Sequence, residues 1–319
     1  MPRYLRYQSL LASLPQRVLA AWLCALPTLV SAAVPIWSVH ATGEPAAAAN
    51  PALSWPADVA VGREDRLYIC DSGNQRVVIV AATGNRLAIA GGAGAGDAEL
   101  RDPIGLGVAP DGTLYVADRG RHRLVAFGPD GAFLRAIPLE YEGAPVSPVD
   151  VAAATDGREL YVTASNLHRV LVLDSGGRLL RSWGGFGEGD GQFRFPATLA
   201  IGADGSVYVV DVLNTRVQVF DRDGTLLRKF GKPGVLPGSL FRPKGIAIDR
   251  GGRVLVSDSY VGVVQAFSAE GNFLAVLGDQ DGPHRFITPT GLALDSAGRL
   301  VVSEMQPGKV IVHELGALP

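Results

Sequence analysis

The sequence predicts an all-β chain folded as a six-bladed propeller of four-stranded antiparallel blades, and three observations lead there. Six prolines (Pro56, Pro103, Pro148, Pro196, Pro243 and Pro289) recur at separations of 47, 45, 48, 47 and 46 residues. The units they open carry tight-turn signals, such as Asp111-Gly112 with Asp130-Gly131 or Asp204-Gly205 with Asp223-Gly224, between short runs rich in Val, Ile, Leu and Tyr. No segment beyond residue 33 keeps a helical period.

The elements follow in chain order. Arg3, Arg6 and Arg17 precede an apolar stretch from Val18 to Val30 and the small-residue site Ser31-Ala32-Ala33, so residues 1–33 read as a secretory signal peptide. The mature chain, residues 34–319, is then expected to be the propeller, periplasmic or extracellular and without a transmembrane span. Losing three arginines and no acid takes the formal net charge from −2 to −5, which argues against a nucleic-acid partner. Cys24 leaves with the signal, and Cys70, inside Leu67-Tyr68-Ile69-Cys70, reads as a small buried hydrophobe.

Within a unit, the proline starts a first strand (Asp58-Val59-Ala60-Val61, Gly245-Ile246-Ala247-Ile248). An Asp-Gly turn leads to the second (Leu114-Tyr115-Val116, Val207-Tyr208-Val209). A polar connection, a third strand (Arg216 to Phe220), another turn and a fourth strand (Leu226 to Phe230) complete it. Asp and Gly tolerate the positive φ that two-residue hairpin turns require. One such sheet cannot bury both faces alone, so the sheets must stack around an axis. The last unit, from Pro289 to Leu315, lacks a fourth strand. Pro35-Ile36-Trp37-Ser38-Val39 resembles the fourth-strand segment Arg181-Ser182-Trp183-Gly184, and is expected to complete the sixth blade and close the ring.

Phe193-Arg194-Phe195-Pro196, Gly205 to Asp211, Asn214 to Phe220 and the connection Gly184 to Phe193 together resemble the NHL repeat, from about Trp37 to Leu315. That resemblance implies a six-bladed propeller, and exported proteins of this type resemble scaffolds and accessory subunits of envelope complexes, including c-type cytochrome assemblies.

Two sets of polar residues recur. Asp71, Asp118, Asp211 and Asp258 end the second strand, and Arg76, Arg123, Arg169 and Arg216 stand five residues after that position. Repetition favours structural ion pairs, Asp71–Arg76, Asp118–Arg123 and Asp211–Arg216. The pattern breaks at Ala164, at Val263 and at Glu304 with Lys309, where a specialised patch would stand out. Asp58 and Asp150 begin innermost strands; local backbone hydrogen bonds are the favoured reading, and an axial calcium, as in propeller lyases that resemble this fold, the other.

The peptidyl-amidoglycolate lyase type would need histidines after the unit prolines, where this chain has Ala57, Ile104, Val149, Ala197, Lys244 and Thr290. His122 and His168, equivalent in neighbouring units, make a poor metal site alone. The gluconolactonase and paraoxonase group uses axial Glu, Asn and Asp around calcium, for which only Asp58 and Asp150 offer themselves. The residues therefore favour an exported, non-catalytic platform without a cofactor. Its face, bearing Arg101, Arg194, Arg242, Lys244 and Arg285, would meet a protein or acidic glycan partner. The alternative is a metal-dependent lyase or lactonase at the axis. Oligomeric state stays open.

Overall fold

The computed structural model describes residues 34–43 and 52–317; the expected signal peptide lies outside the described residues. Six strands form the inner wall: Pro56–Val61, Pro103–Val108, Pro148–Ala153, Pro196–Ile201, Pro243–Ile248 and Pro289–Leu294. Each packs against the next and the last against the first, so the inner strands form a closed cycle. The fold is an all-β propeller-like ring. No helix among the described residues is long and apolar enough to cross a membrane.

The first four inner strands each lead an antiparallel four-stranded sheet. Alternation explains the packing: the second and third strands (Leu67–Asp71 and Arg76–Val80, Leu114–Asp118 and Arg123–Phe127) are buried throughout, whereas outer strands such as Arg86–Gly91 are largely exposed. Neighbouring sheets share apolar layers. Tyr68, Val77 and Ile79 of one meet Leu106, Val116, Val125 and Phe127 of the next. Truncating such a buried leucine as Leu114 to alanine costs about 3 kcal/mol.

The fifth and sixth units join through the N-terminal strand Ile36–Gly43 into one nine-stranded sheet. Its second half pairs antiparallel with Lys309–Leu315, closing the ring as the sequence implied. Its first half also pairs parallel with Phe273–Asp279, Ile36 opposite Val276, which the repeat alone did not suggest. An eight-residue strand is longer than the last unit needs, and the surplus covers the neighbouring sheet's edge. Trp37 is buried in this seam, its indole N–H donating to the Gly316 carbonyl at 2.7 Å while the Arg253 guanidinium lies 4.7 Å from its ring centre. His313, opposite Ala41, is fully buried with neither ring nitrogen hydrogen-bonded; the rings of His284 and Phe286 lie 5.5 and 5.3 Å away.

Candidate active site

The mouth of the ring is built by the repeated acids. Asp71 Oδ2 accepts from Arg76 Nε at 2.6 Å, Asp118 Oδ2 from Arg123 Nε at 3.0 Å and Asp211 Oδ2 from Arg216 Nε at 2.9 Å. The other oxygen of each accepts backbone N–H groups just before its own unit's proline: Ser54 for Asp71, Arg101 and Asp102 for Asp118, Arg194 for Asp211. The acids thus fix where each chain segment enters the inner wall. Where the pattern breaks, substitutes do the same work. Asn166 Oδ1 accepts from Ser147 in unit three, which has Ala164 instead of an acid. Asp258, facing Val263 rather than arginine, accepts from Phe241, Arg242, Tyr260 and Val261. Backbone held this tightly tolerates positive φ at Trp55, Phe195 and Thr288, each directly before a unit proline.

Inside the ring, Asp58 and Asp150 bridge neighbouring inner strands. Asp58 Oδ2 accepts from the Leu106 amide at 2.9 Å, and Asp150 accepts from Leu199 at 2.9 Å and from Val151 at 2.8 Å. Gly105, Gly245 and Gly291 hold the matching position in three other units because the adjacent backbone comes too close for a side chain. A Cβ on Gly245 would lie 1.9 Å from the Thr290 carbonyl oxygen, and one on Gly291 would lie 2.7 Å from Asp58 Cα. Burial pushes the Asp58 carboxyl up to about 7, and burial together with the Asp58 charge raises Asp150 well above the ordinary carboxylate range.

This donor set does not fit calcium, which takes about six to eight oxygens, mostly ionised or carbonyl. Three of the four carboxylate oxygens already accept backbone amide hydrogens, and no three His, Cys, Asp or Glu side chains converge as ligands among the described residues.

Lys244 occupies the other distinctive position. It directly follows Pro243 on the inner strand of unit five and is half-buried. Burial lowers its pKa to about 8, with further contributions from the charges of Arg242 and Arg119. Arg119 belongs to unit two, three steps away in the cycle of six inner strands and hence on the opposite side. Arg242 directly precedes Pro243, with Lys244 on its other side. Asp102 accepts from Arg119 Nε at 2.8 Å and holds that guanidinium in place. No acid pairs with the Lys244 or Arg242 side chain among the described residues.

The remaining cations of the expected face are less concentrated. Arg101 is exposed, Arg194 pairs with Glu188 at 2.7 Å, and Arg285 donates to the Val261 carbonyl at 2.9 Å. His122 lies exposed with Nδ1 3.0 Å from the Val146 carbonyl oxygen, and His168 accepts from the Phe195 amide. Cys70 is buried, and burial raises its thiol well above the usual range. Sequence reasoning missed Arg119. The signal available was Asp102, a carboxylate directly before the proline of the same unit, to which Arg119 donates.

Comparison with known proteins adds an independent line. A family model described as the SMP-30/gluconolactonase/LRE-like region matches residues 57–278. No curated protein matches the sequence. Among solved structures, a streptogramin B lyase superposes with a TM-score of 0.62 at 12% identity, covering 88% of this chain and 98% of its own. A gluconolactonase from Xanthomonas campestris gives 0.61 at 21% identity, covering 83% and 87%. Hydrazine synthase of Kuenenia stuttgartiensis gives 0.59 at 15% identity, covering 84% and 97%. At these identities the likeness establishes the fold alone.

Proposed function

The chain belongs to the SMP-30/gluconolactonase/LRE-like family, and from that premise we propose that it is an enzymatic propeller acting on a small ester or lactone at the axial mouth, with Lys244 as its base. Beside the family, what supports this reading is a half-buried lysine on an inner strand that pairs with no acid among the described residues; burial, with the Arg242 and Arg119 charges, lowers it to about 8. A lysine so shifted holds an appreciable fraction of free amine near neutral pH. The amine takes a proton from water as the water oxygen attacks the carbonyl carbon. The carbonyl π electrons move to oxygen, where the two guanidinium groups offset the new charge. The ester C–O bond then breaks, the electron pair leaves on the alkoxide oxygen, and the Lys244 ammonium returns the proton to it.

The family and the likeness to a lyase and a gluconolactonase favour this enzymatic alternative over the non-catalytic platform. The metal is where the reading departs from a lactonase of the calcium type, since oxygens of Asp58 and Asp150 are taken up by backbone amides. Six unit prolines and six inner strands support six blades, and the N-terminal segment supports export of residues 34–319. The test is a panel of aliphatic and aromatic lactones and esters, assayed with the mature protein before and after exhaustive chelation. Turnover that survives chelation and collapses in Lys244→Met is expected. Turnover abolished by chelation and intact in Lys244→Met would overturn the assignment.

One observation favours a protein partner as a second reading. Phe186 and Leu236, on inter-unit connections, stay 69% and 65% exposed. A near-stoichiometric partner recovered by cross-linking, and lost on charge reversal at Arg194 and Arg242, would support the platform.

A further inference from the structure

We infer that a cavity of about 260 Å3 beside the ring's closing seam binds a small organic acid, its carboxylate held by Arg253 and Arg250. Trp37 of the closing strand, Gly316 just past the last strand and the turns at 249–253 and 296–298 of units five and six wall it. Those turns lead into Val254–Asp258 and Leu300–Glu304, at the ends away from Asp258 and Glu304. The cavity therefore lies at the opposite end of the blades from the mouth, and the inference stands apart from the enzymatic reading.

Arg253 is the built part of the site. Its Nε donates to Asp249 Oδ2 at 2.5 Å, and its guanidinium carbon lies 4.7 Å from the centre of the Trp37 ring. An ion pair along one edge and an indole against one face fix the plane of the guanidinium. Its two terminal amino groups have no acceptor among the described residues, and the residue lines the cavity. The same Asp-to-Arg pairing recurs at Asp174–Arg178 and Asp295–Arg299, but no aromatic ring backs those guanidinium groups among the described residues.

Charge and size then choose the ligand. Asp249 offsets one positive charge, and Arg250, exposed on the same wall, has no acid partner among the described residues. One positive charge is left over. A carboxylate answers it best, because its two oxygens meet two N–H groups of a guanidinium side by side, whereas a neutral amide offers one such oxygen. The volume, near the lower end of the roughly 300–1,000 Å3 of ligand pockets, exceeds what a bare ion needs. Ser296, Ala297 and Leu315 give the rest of the molecule a mixed polar and apolar lining. Since the walls come from the first strand, the end of the last and both flanking units, a bound acid favours the closed ring.

The experiment titrates the mature protein with glutarate, its neutral isostere glutaramide and inorganic phosphate, read by calorimetry and by melting temperature. Glutarate should bind once per chain, at least about tenfold more tightly than glutaramide, and raise the melting temperature as its concentration rises. Arg253→Lys keeps the charge but loses the fork, and Arg250→Ala alters an exposed side chain that the fold does not lean on. Each should weaken glutarate about tenfold, and Arg250→Ala tests the site even if Arg253→Lys softens the seam. Phosphate bound as tightly as glutarate would mean an adventitious ion only. That result overturns the inference, as do equal affinity for acid and amide, no saturable binding of glutarate, and glutarate affinity unchanged in both variants. Glutarate binding lost in Lys244→Met but kept in Arg253→Lys would put the acid at the mouth, and overturns it as well.

Discussion

Asp58 and Lys244 occupy neighbouring register positions on inner strands of units one and five, two residues and one residue after their prolines. Successive residues of a strand point to opposite sides, and the consequence here is a division of labour. Asp58 reaches the next inner strand and accepts its Leu106 amide. Lys244, one position nearer its proline, pairs with no acid among the described residues, and the charges of Arg242 and Arg119 add to the lowering of its pKa. Burial shifts both groups toward their neutral forms, yet one binds the wall together and the other is left available.

The comparison can be broken most directly at Lys244. Lys244→Met should reduce turnover of the best ester or lactone by about 100-fold, the usual scale for a lost general base, while the melting temperature stays level or rises as the repulsion from Arg242 and Arg119 disappears. A variant that unfolds easily would put Lys244 in the same class as the aspartates. Asp150→Ala should do the reverse, leaving the Leu199 amide buried without a partner at a cost of about 2 kcal/mol, while the folded fraction keeps its activity.

Acidity sharpens the contrast further. In the folded chain the Asp58 carboxyl keeps its proton up to about 7, whereas unfolded it releases it near 3.8. The stability this contributes is full below 3.8 and is lost as pH rises through 7. Melting temperature should therefore fall by a few degrees between pH 4 and pH 7, and Asp58→Asn should flatten that slope. Activity should climb over the alkaline side of the same range as Lys244 loses its proton near 8, and the two profiles would run in opposite directions.

The smallest effect lies away from the axis. Burial, with a lesser contribution from His284, holds the His313 imidazole neutral down to about 4, against 6.5 for a free one. Its folded form resists protonation, so its contribution is present above 6.5 and lost as pH falls through 4. Burial likewise lowers His284, opposed by the charge of Asp279. His313→Leu should remove an acid-side drop in melting temperature, a slope of the opposite sign to that of Asp58. A His313 variant that instead changed turnover would show that the seam and the mouth communicate.

Much of the architecture was written locally. Prolines that begin inner strands and apolar runs after them recur in all six units, Asp-Gly pairs mark hairpin turns in units two, three and four, and repetition multiplies the weight of such short-range signals. The closing strand was legible because Ile36-Trp37-Ser38 echoes an outer strand elsewhere in the chain. Its second partner, Phe273–Asp279, was not, since strand length rather than motif decides it. The site was only half legible. Lys244 could be seen as one cation of a face, but its burial on the inner strand depends on how the neighbouring units pack against it, and no spacing along the chain encodes that. Whether Asp58 would seek a metal or the Leu106 amide likewise depended on how closely two distant backbones approach.

The seam of Ile36–Gly43 with Lys309–Leu315 also sets a clock on assembly. Ile36–Gly43 is synthesised before every other strand of the ring, yet its partner Lys309–Leu315 is synthesised after the rest. Every intervening sheet can form from neighbours in sequence, each hairpin closing in microseconds. The final pairing must draw together residues some 270 positions apart, as between Thr42 and Val312, so it is the slow, high-contact-order step. Until it happens the front strand travels unpaired, and a chain cut short anywhere before residue 309 never meets the partner that would retire it.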